Sequence, residues 1–147
     1  LSLHDALPIS EQVFSLVSDI GNYPQFVPWV TGLRTWNGRT DPDGVQWVDA
    51  EVQVGFALFR ERFSTRVRMD PAGLQIDADL LNGPFKHLRN RWIFTPRDEG
   101  TQVEFDIDFE FKSRVLGSLL SKNMDIAISR LIACFDDRAR ILFGAPR

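Results

Sequence analysis

Residues 45–56 read VQWVDAEVQVGF, in which Val48, Ala50, Val52 and Val54 alternate with Asp49, Glu51 and Gln53. A period of two places one face of a strand against a core and the other in water. The four segments that follow repeat it. Phe59, Phe63, Val67 and Met69 alternate with Arg60, Arg62, Arg66 and Arg68, and Leu74, Ile76, Ala78 and Leu80 with Gln75, Asp77 and Asp79. Leu88, Trp92 and Phe94 alternate with Arg89 and Arg91, and Val103, Phe105, Ile107, Phe109 and Phe111 with Glu104, Asp106, Asp108 and Glu110. The solvated faces therefore run acidic, basic, acidic, basic, acidic. Opposite charges are favourable across neighbouring strands and like charges are not, so this pattern predicts an antiparallel meander in which sequence order is sheet order. Turn residues at 70–73 (DPAG), 82–84 (NGP) and 96–100 (PRDEG) supply the hairpins.

Upstream, residues 33–39 predict a further strand closed by the turn Asp41-Pro42-Asp43-Gly44. Ser10 followed by Glu11, Val13, Phe14, Leu16, Val17 and Ile20 predicts a capped amphipathic helix stopped by Gly21-Asn22. Residues 23–30, YPQFVPWV, are apolar but hold two prolines, so a short helical turn is expected there and not a sheet interior. Downstream of the sheet the period lengthens: Leu116, Leu120, Met124, Ala127, Leu131 and Phe135 form a helical stripe from a Ser113 cap to a Gly144 stop. A helix of some 30 residues would be about 45 Å long, enough to cross the concave face of a twisted sheet. The expected class is α+β, with a curved antiparallel meander wrapped around a long C-terminal helix.

A chain of 147 residues fits one domain. Residues 1–9 resemble a sequencing adapter translated in frame and are set aside, which puts the domain at 10–144 and leaves a first strand missing; the alternative is a genuine apolar lead-in strand. Twelve Phe against one Tyr fill volume without asking for hydrogen bonds. The net charge of −3 offers no global attraction to nucleic acid, and no DNA is expected. Cys134 is the only cysteine and His4 and His87 the only histidines, which excludes a disulfide framework and a zinc set; no metal site is expected. The expected location is cytoplasmic. No apolar run approaches the roughly 18 residues that span a bilayer, so any membrane contact is expected to be peripheral.

Several short motifs then resemble a known family: Phe26-Val27-Pro28-Trp29 after a short helix, Val54-Gly55-Phe56, Glu61-Arg62-Phe63, Gly83-Pro84-Phe85-Lys86, Trp92 with Phe94, and Phe109-Glu110-Phe111-Lys112-Ser113. Together they resemble the coenzyme Q-binding START-domain family of the polyketide-cyclase-like superfamily, over residues 10–143. The resemblance implies the helix-grip fold and a ubiquinone-like lipid as bound ligand, with no covalent cofactor, in support of respiratory electron transport. Because that family also contains ribosome-association toxins, the resemblance leaves open, as the alternative, a ribosome as partner and inhibition of translation through the outer basic surface.

The residues carry their own argument for an apolar site. A single helix on a strongly curved sheet leaves space between them, and an empty cavity of about 300 Å³ would cost on the order of 7 kcal/mol, comparable with a domain's whole stability. Either side chains collapse into the space or an apolar ligand occupies it. The expected ligand set is Tyr23, Phe26, Val27 and Trp29 at the mouth, then Val52, Val54, Phe56, Glu61, Phe63, Val67, Phe85, Asn90, Trp92, Phe94, Phe105 and Phe109 from the sheet, and Leu120, Met124 and Leu131 from the helix. Plain core packing is the alternative for each aromatic. Glu61, inward by alternation, reads either as a head-group anchor or as a structural hydrogen-bonding residue, with Asn90 its companion. The arginines of 60–68 and 89–91 read as a neutralised ladder or as an anionic-partner patch. No catalytic residues are expected: His87 lacks partners for acid-base work, and a cyclase would need more polar groups inside than Glu61 and Asn90.

Overall fold

The computed structural model describes residues 9–56, 59–121 and 123–144. The reading of residues 1–8 lies outside them. The chain runs α1 (Ser10–Ser18), a 3-10 turn (Ile20–Gln25), β1 (Val30–Thr40), β2 (Gln46–Phe56), β3 (Phe59–Asp70), β4 (Gln75–Asn82), β5 (Phe85–Arg97), β6 (Gly100–Phe111), α2 (Arg114–Ser121) and α3 (Met124–Phe143). The strands form one antiparallel sheet in the order β1-β2-β3-β4-β5-β6, the meander that the charge alternation requires.

That alternation is visible as ion pairs on the convex face. Arg66 Nε donates to Asp49 at 2.9 Å, Arg91 to Asp77 at 2.7 Å and Arg89 to Asp79 at 3.1 Å, and Lys86 meets Glu110 at 3.0 Å. Register places Arg66 between Asp49 and Asp79, and Arg91 between Asp77 and Asp106, so each arginine row is flanked by acids on both sides. Most of these pairs are exposed and individually weak. Asp49 differs. Its side chain is buried, and besides Arg66 it accepts a bond of 2.9 Å from the Asn37 amide. Asn37 reaches it from a bulge in β1 where its φ is +56°, a conformation that asparagine tolerates better than most residues.

Two helical expectations are corrected. Ser10 is the first residue of α1 and not its cap: it is buried, and its hydroxyl shares a hydrogen bond of 3.0 Å with Thr101 of β6, pinning α1 to the sheet edge. The helix also ends earlier, at Ser18, with Ile20 and Gly21-Asn22 taken into the 3-10 turn that carries Pro24. The C-terminal helix is two helices, α2 and α3, with Asn123 as the residue that starts the second. Gly117, Ser118, Ser121 and Asn123 weaken helix propensity around the break, which frees α2 to lean on β6 while α3 crosses the concave face. Ser113 does cap α2, accepting from Leu116 N–H at 3.1 Å.

The core falls into two clusters. The larger joins α1 (Val13, Phe14, Val17) to Phe94, Val103 and Phe135; the smaller gathers Phe85, Leu88 and Phe111 under Leu116 and Leu120 of α2. Gly83 makes the second possible. At φ +157° a Cβ there would lie 2.6 Å from the Cβ of Phe63, so only glycine lets the β4–β5 turn close over that ring.

Hydrogen bonds from Arg66 and Asn37 hold the Asp49 carboxyl below its ordinary range, outweighing the opposite effect of burial. A lowered folded pKa means that the stability it contributes is complete above the unfolded value of about 3.9 and is lost as pH falls through the folded value. Asp49→Asn should therefore cost about 1–3 kcal/mol at neutral pH and flatten the acid limb below about pH 4. Thermal melts of both proteins against pH measure it, and an unchanged acid limb would contradict it.

Candidate ligand-binding cavity

Between the concave face and α3 lies a cavity of about 300 Å³. Ala50, Val52, Val67, Ile76 and Ala78 of β2–β4 and Trp92, Phe105, Ile107 and Phe109 of β5–β6 form its floor and far wall; Met124, Ala127, Ile128, Leu131 and Phe135 of α3 form its roof. The space exists because residues are small where helix and sheet face each other, at Ala50 and Ala78 below and Ala127 above. The aromatics stand around it. Trp92 tilts against Phe105 at 4.5 Å between centroids and meets Phe135 edge-on at 5.1 Å, while Phe85 contacts Phe63 edge-on at 5.5 Å.

Of the residues expected from sequence, Tyr23, Trp29, Val52, Val54, Phe63, Val67, Phe85, Asn90, Trp92, Phe105, Phe109, Leu120, Met124 and Leu131 line the cavity. Others stand elsewhere. Val27 is wholly buried in the main core, and Phe94 packs edge-on to Phe14 at 5.8 Å, beneath α1 and away from the void. Phe26 plugs the gap between Tyr23 and Phe135, with Arg138 above its ring at 5.6 Å. The Phe56 side chain lies outside the described residues. Glu61 shares the alternation of Phe63 yet does not line the cavity: near the start of β3, opposite Val54, it stays partly exposed, so water hydrates it and no buried carboxylate arises.

Thr65, Ile76, Ala78, Ile107 and Phe135 line the cavity without having been singled out. Strand parity already put the sheet residues on that face; only the helix position shows which of them border empty space.

The polar content is sparse. Thr65 on β3 and Asn90 on β5 face the void from the floor, and among the described residues neither side chain has a hydrogen-bond partner. Thr65 pairs across the ladder with Leu80, and Asn90 with Ala78 and Ile107, so both polar groups are set in apolar rows. Among the described residues the lining includes no Asp, Glu, His or Cys. Trp29 and Arg130 border both the cavity and an outer groove with Pro28, Gly55 and Cys134, which marks the mouth between the turn before β1, the end of β2 and α3. Burial, with Asp137 near, pushes the Cys134 thiol up and away from reactive thiolate. His87 is exposed on β5, 3.1 Å from Asp108, and does not line the cavity that its neighbour Leu88 borders from the other face. Among the described residues no group of three or more potential ligands could hold a metal.

Tyr23 ties the turn to α1, its hydroxyl donating to the Val17 carbonyl, and its ring packs edge-on to Phe135 at 5.1 Å. Burial, reinforced by Asp19, pushes its phenol well above the ordinary tyrosine range. The stability from keeping it neutral is complete below the unfolded pKa of about 10 and drains away as pH rises beyond it. As this is the one tyrosine in the chain, phenolate absorbance reads it alone. Absorbance should rise above pH 10 only together with loss of the circular-dichroism signal, and Tyr23→Phe should melt a few degrees lower for want of one hydrogen bond, worth about 1 kcal/mol. Phenolate forming in protein that is still folded would refute the burial.

Residues 8–136 match the family described as "Polyketide cyclase / dehydrase and lipid transport". The ribosome association toxin RatA of Vibrio cholerae is 34% identical over 136 residues, 92% of this chain and 90% of the relative. A coenzyme Q-binding protein COQ10 homolog B, mitochondrial, of Xenopus laevis is 30% identical over 139 residues, 91% of this chain and 54% of the relative. Among solved structures, the 18 kDa protein CC1736 of Caulobacter crescentus superposes with a TM-score of 0.80 at 52% identity, over 99% of this chain and 95% of that one. The Zhui aromatase/cyclase of a Streptomyces species superposes at 0.71 with 17% identity, over 97% and 92%, a likeness of fold alone. The helix-grip architecture, the cavity between sheet and helix, and the match across most of its length agree: this chain belongs to the polyketide cyclase/dehydrase and lipid transport family.

Proposed function

We propose that this protein holds a ubiquinone-like or other isoprenoid lipid in the cavity and carries or presents it to respiratory enzymes without transforming it. The observation that bears most weight is the void itself: about 300 Å³ walled by hydrocarbon. Left empty, such a space would cost on the order of 7 kcal/mol by the cavity term of core truncations, so an apolar occupant has much to contribute. A substituted quinone ring with its first isoprene units suits the lower end of ligand-pocket sizes, and the rest of a tail would leave by the mouth between Trp29 and Arg130. Asn90 and Thr65 can donate to carbonyl or methoxy oxygens on the ring. That the described residues put no acid or imidazole in the lining supports a carrier over a cyclase. The identity to a protein named for coenzyme Q binding supports the choice of quinone.

Identity to RatA favours a second reading, in which the protein associates with ribosomes. Against it stands the pairing of Arg66, Arg89 and Arg91 with acids on the convex face, which leaves them little charge to offer RNA. Protein purified from its own membranes and analysed by native mass spectrometry with lipid extraction separates the two: recovered quinone is expected, whereas an empty cavity with salt-sensitive ribosome co-sedimentation would favour the second.

Ala78→Leu extends a floor residue into the void; it should weaken binding of a short-tailed quinone about tenfold or more while the melting temperature holds or rises. Asn90→Leu should cost about fivefold, the worth of one hydrogen bond. Quenching of tryptophan fluorescence by the quinone measures both, and wild-type affinity in Ala78→Leu would overturn the site. Trp29→Ala should lower the melting temperature, because the half-buried ring packs on the core, and should also slow quinone uptake in stopped flow; an unaltered rate would remove Trp29 as a gate.

A further inference from the structure

α2 is apolar on two sides. Leu116 and Leu120 turn inward onto the cluster of Phe85, Leu88 and Phe111. One turn apart on the other side, Val115 and Leu119 are 71% and 67% exposed, and Ile126, just past the break between the helices, is 52% exposed. Bare β-branched and leucine side chains grouped on one short helix mark a surface meant for a partner more often than a chance excess. The charges around them are equally one-sided. Between residues 112 and 130 the sequence holds Lys112, Arg114, Lys122 and Arg130 against Asp125 alone, in a chain whose net charge is −3. Lys112, Arg114 and Arg130 are exposed and, among the described residues, make no ion pair, whereas the cations at 62, 66, 86, 89 and 91 are all paired with acids.

This tip also borders the cavity. Leu120 and Met124, on either side of the helix break, line the void, and Arg130 stands at the mouth. We infer that α2 and the start of α3 form a membrane-docking tip, in which Val115, Leu119 and Ile126 enter the headgroup boundary while Lys112, Arg114 and Arg130 meet anionic phosphates. Exposed apolar side chains on the same two elements as cations that make no ion pair complement an anionic bilayer, and neither term alone holds a small domain there. The acidic remainder of the molecule opposes adsorption in other orientations, so the cavity faces the lipid from which its ligand comes. This docking role rests on the lipid-carrier reading for its purpose, although the contact itself can be measured without any quinone.

Vesicles of equal parts phosphatidylcholine and phosphatidylglycerol, sedimented with the full chain, test it. Wild-type protein should co-sediment, and added salt should release it. Val115→Ser with Leu119→Ser should lower partition at least about tenfold, as should Lys112→Glu with Arg114→Glu. Ile141→Ser with Leu142→Ser, equally exposed at the far end of α3, should change nothing. Binding of a short-tailed quinone in the absence of vesicles keeps the readings apart: if every variant binds it and vesicle partition alone falls, docking stands. Wild-type protein that ignores anionic vesicles, or tip variants that bind them as wild type does, would overturn docking while leaving the cavity untouched. Loss of ribosome co-sedimentation in the tip variants, without vesicle binding by the wild type, would assign the tip to the ribosome and likewise overturn it.

Discussion

One helix cannot fill the concavity of a six-stranded meander. Side chains reach across a layer of about 10 Å, and where both surfaces carry alanine, as at Ala50 and Ala78 below and Ala127 above, the two do not meet. The protein responds by closing the ends of the trough and leaving its middle open. α1 and the Phe14–Phe94 contact seal one end, and α2 seals the other over Phe85 and Phe111. The cavity is that residual space.

The convex face explains how so open a structure keeps its register. A slip of one residue would turn each charged row inward and each apolar row outward. The ladder of acids and arginines adds to that penalty, because the slip would take each charged row away from its oppositely charged neighbours. Among the described residues Asp49 is the point where this ladder becomes buried and multiply bonded, tying β1, β2 and β3 together behind the floor of the cavity. Rigidity there lets Ala50 and Val52, its neighbours on the opposite face, hold the floor in place.

Family membership alone does not choose a chemistry. The same fold serves an aromatase/cyclase at 17% identity and, at 30–34% identity, proteins named for a ribosome and for coenzyme Q. The choice is made by what projects into the trough. Here that is mostly hydrocarbon, with Thr65 and Asn90 on the floor, Tyr23, Asn123 and Arg130 around the rest, and no carboxylate or imidazole among the described residues.

Period-two alternation with inverted charge from strand to strand was enough to specify the meander, its order and its faces, because both the hydrophobic effect and cross-strand pairing act on nearest neighbours. The longer period after residue 113 likewise announced a covering helix. Three matters were settled only in three dimensions. The helix breaks near Asn123, since propensity at Gly117, Ser118 and Ser121 is too weak to resist the pull of β6 on α2. Phe26, Val27 and Phe94, indistinguishable in sequence from ligand contacts, are consumed by packing against Phe135, the core and Phe14. Glu61, inward by parity, keeps its water because it stands near the end of its strand. Parity states which way a side chain points; whether it then meets protein, ligand or solvent depends on elements distant in the chain, and no local pattern encodes that.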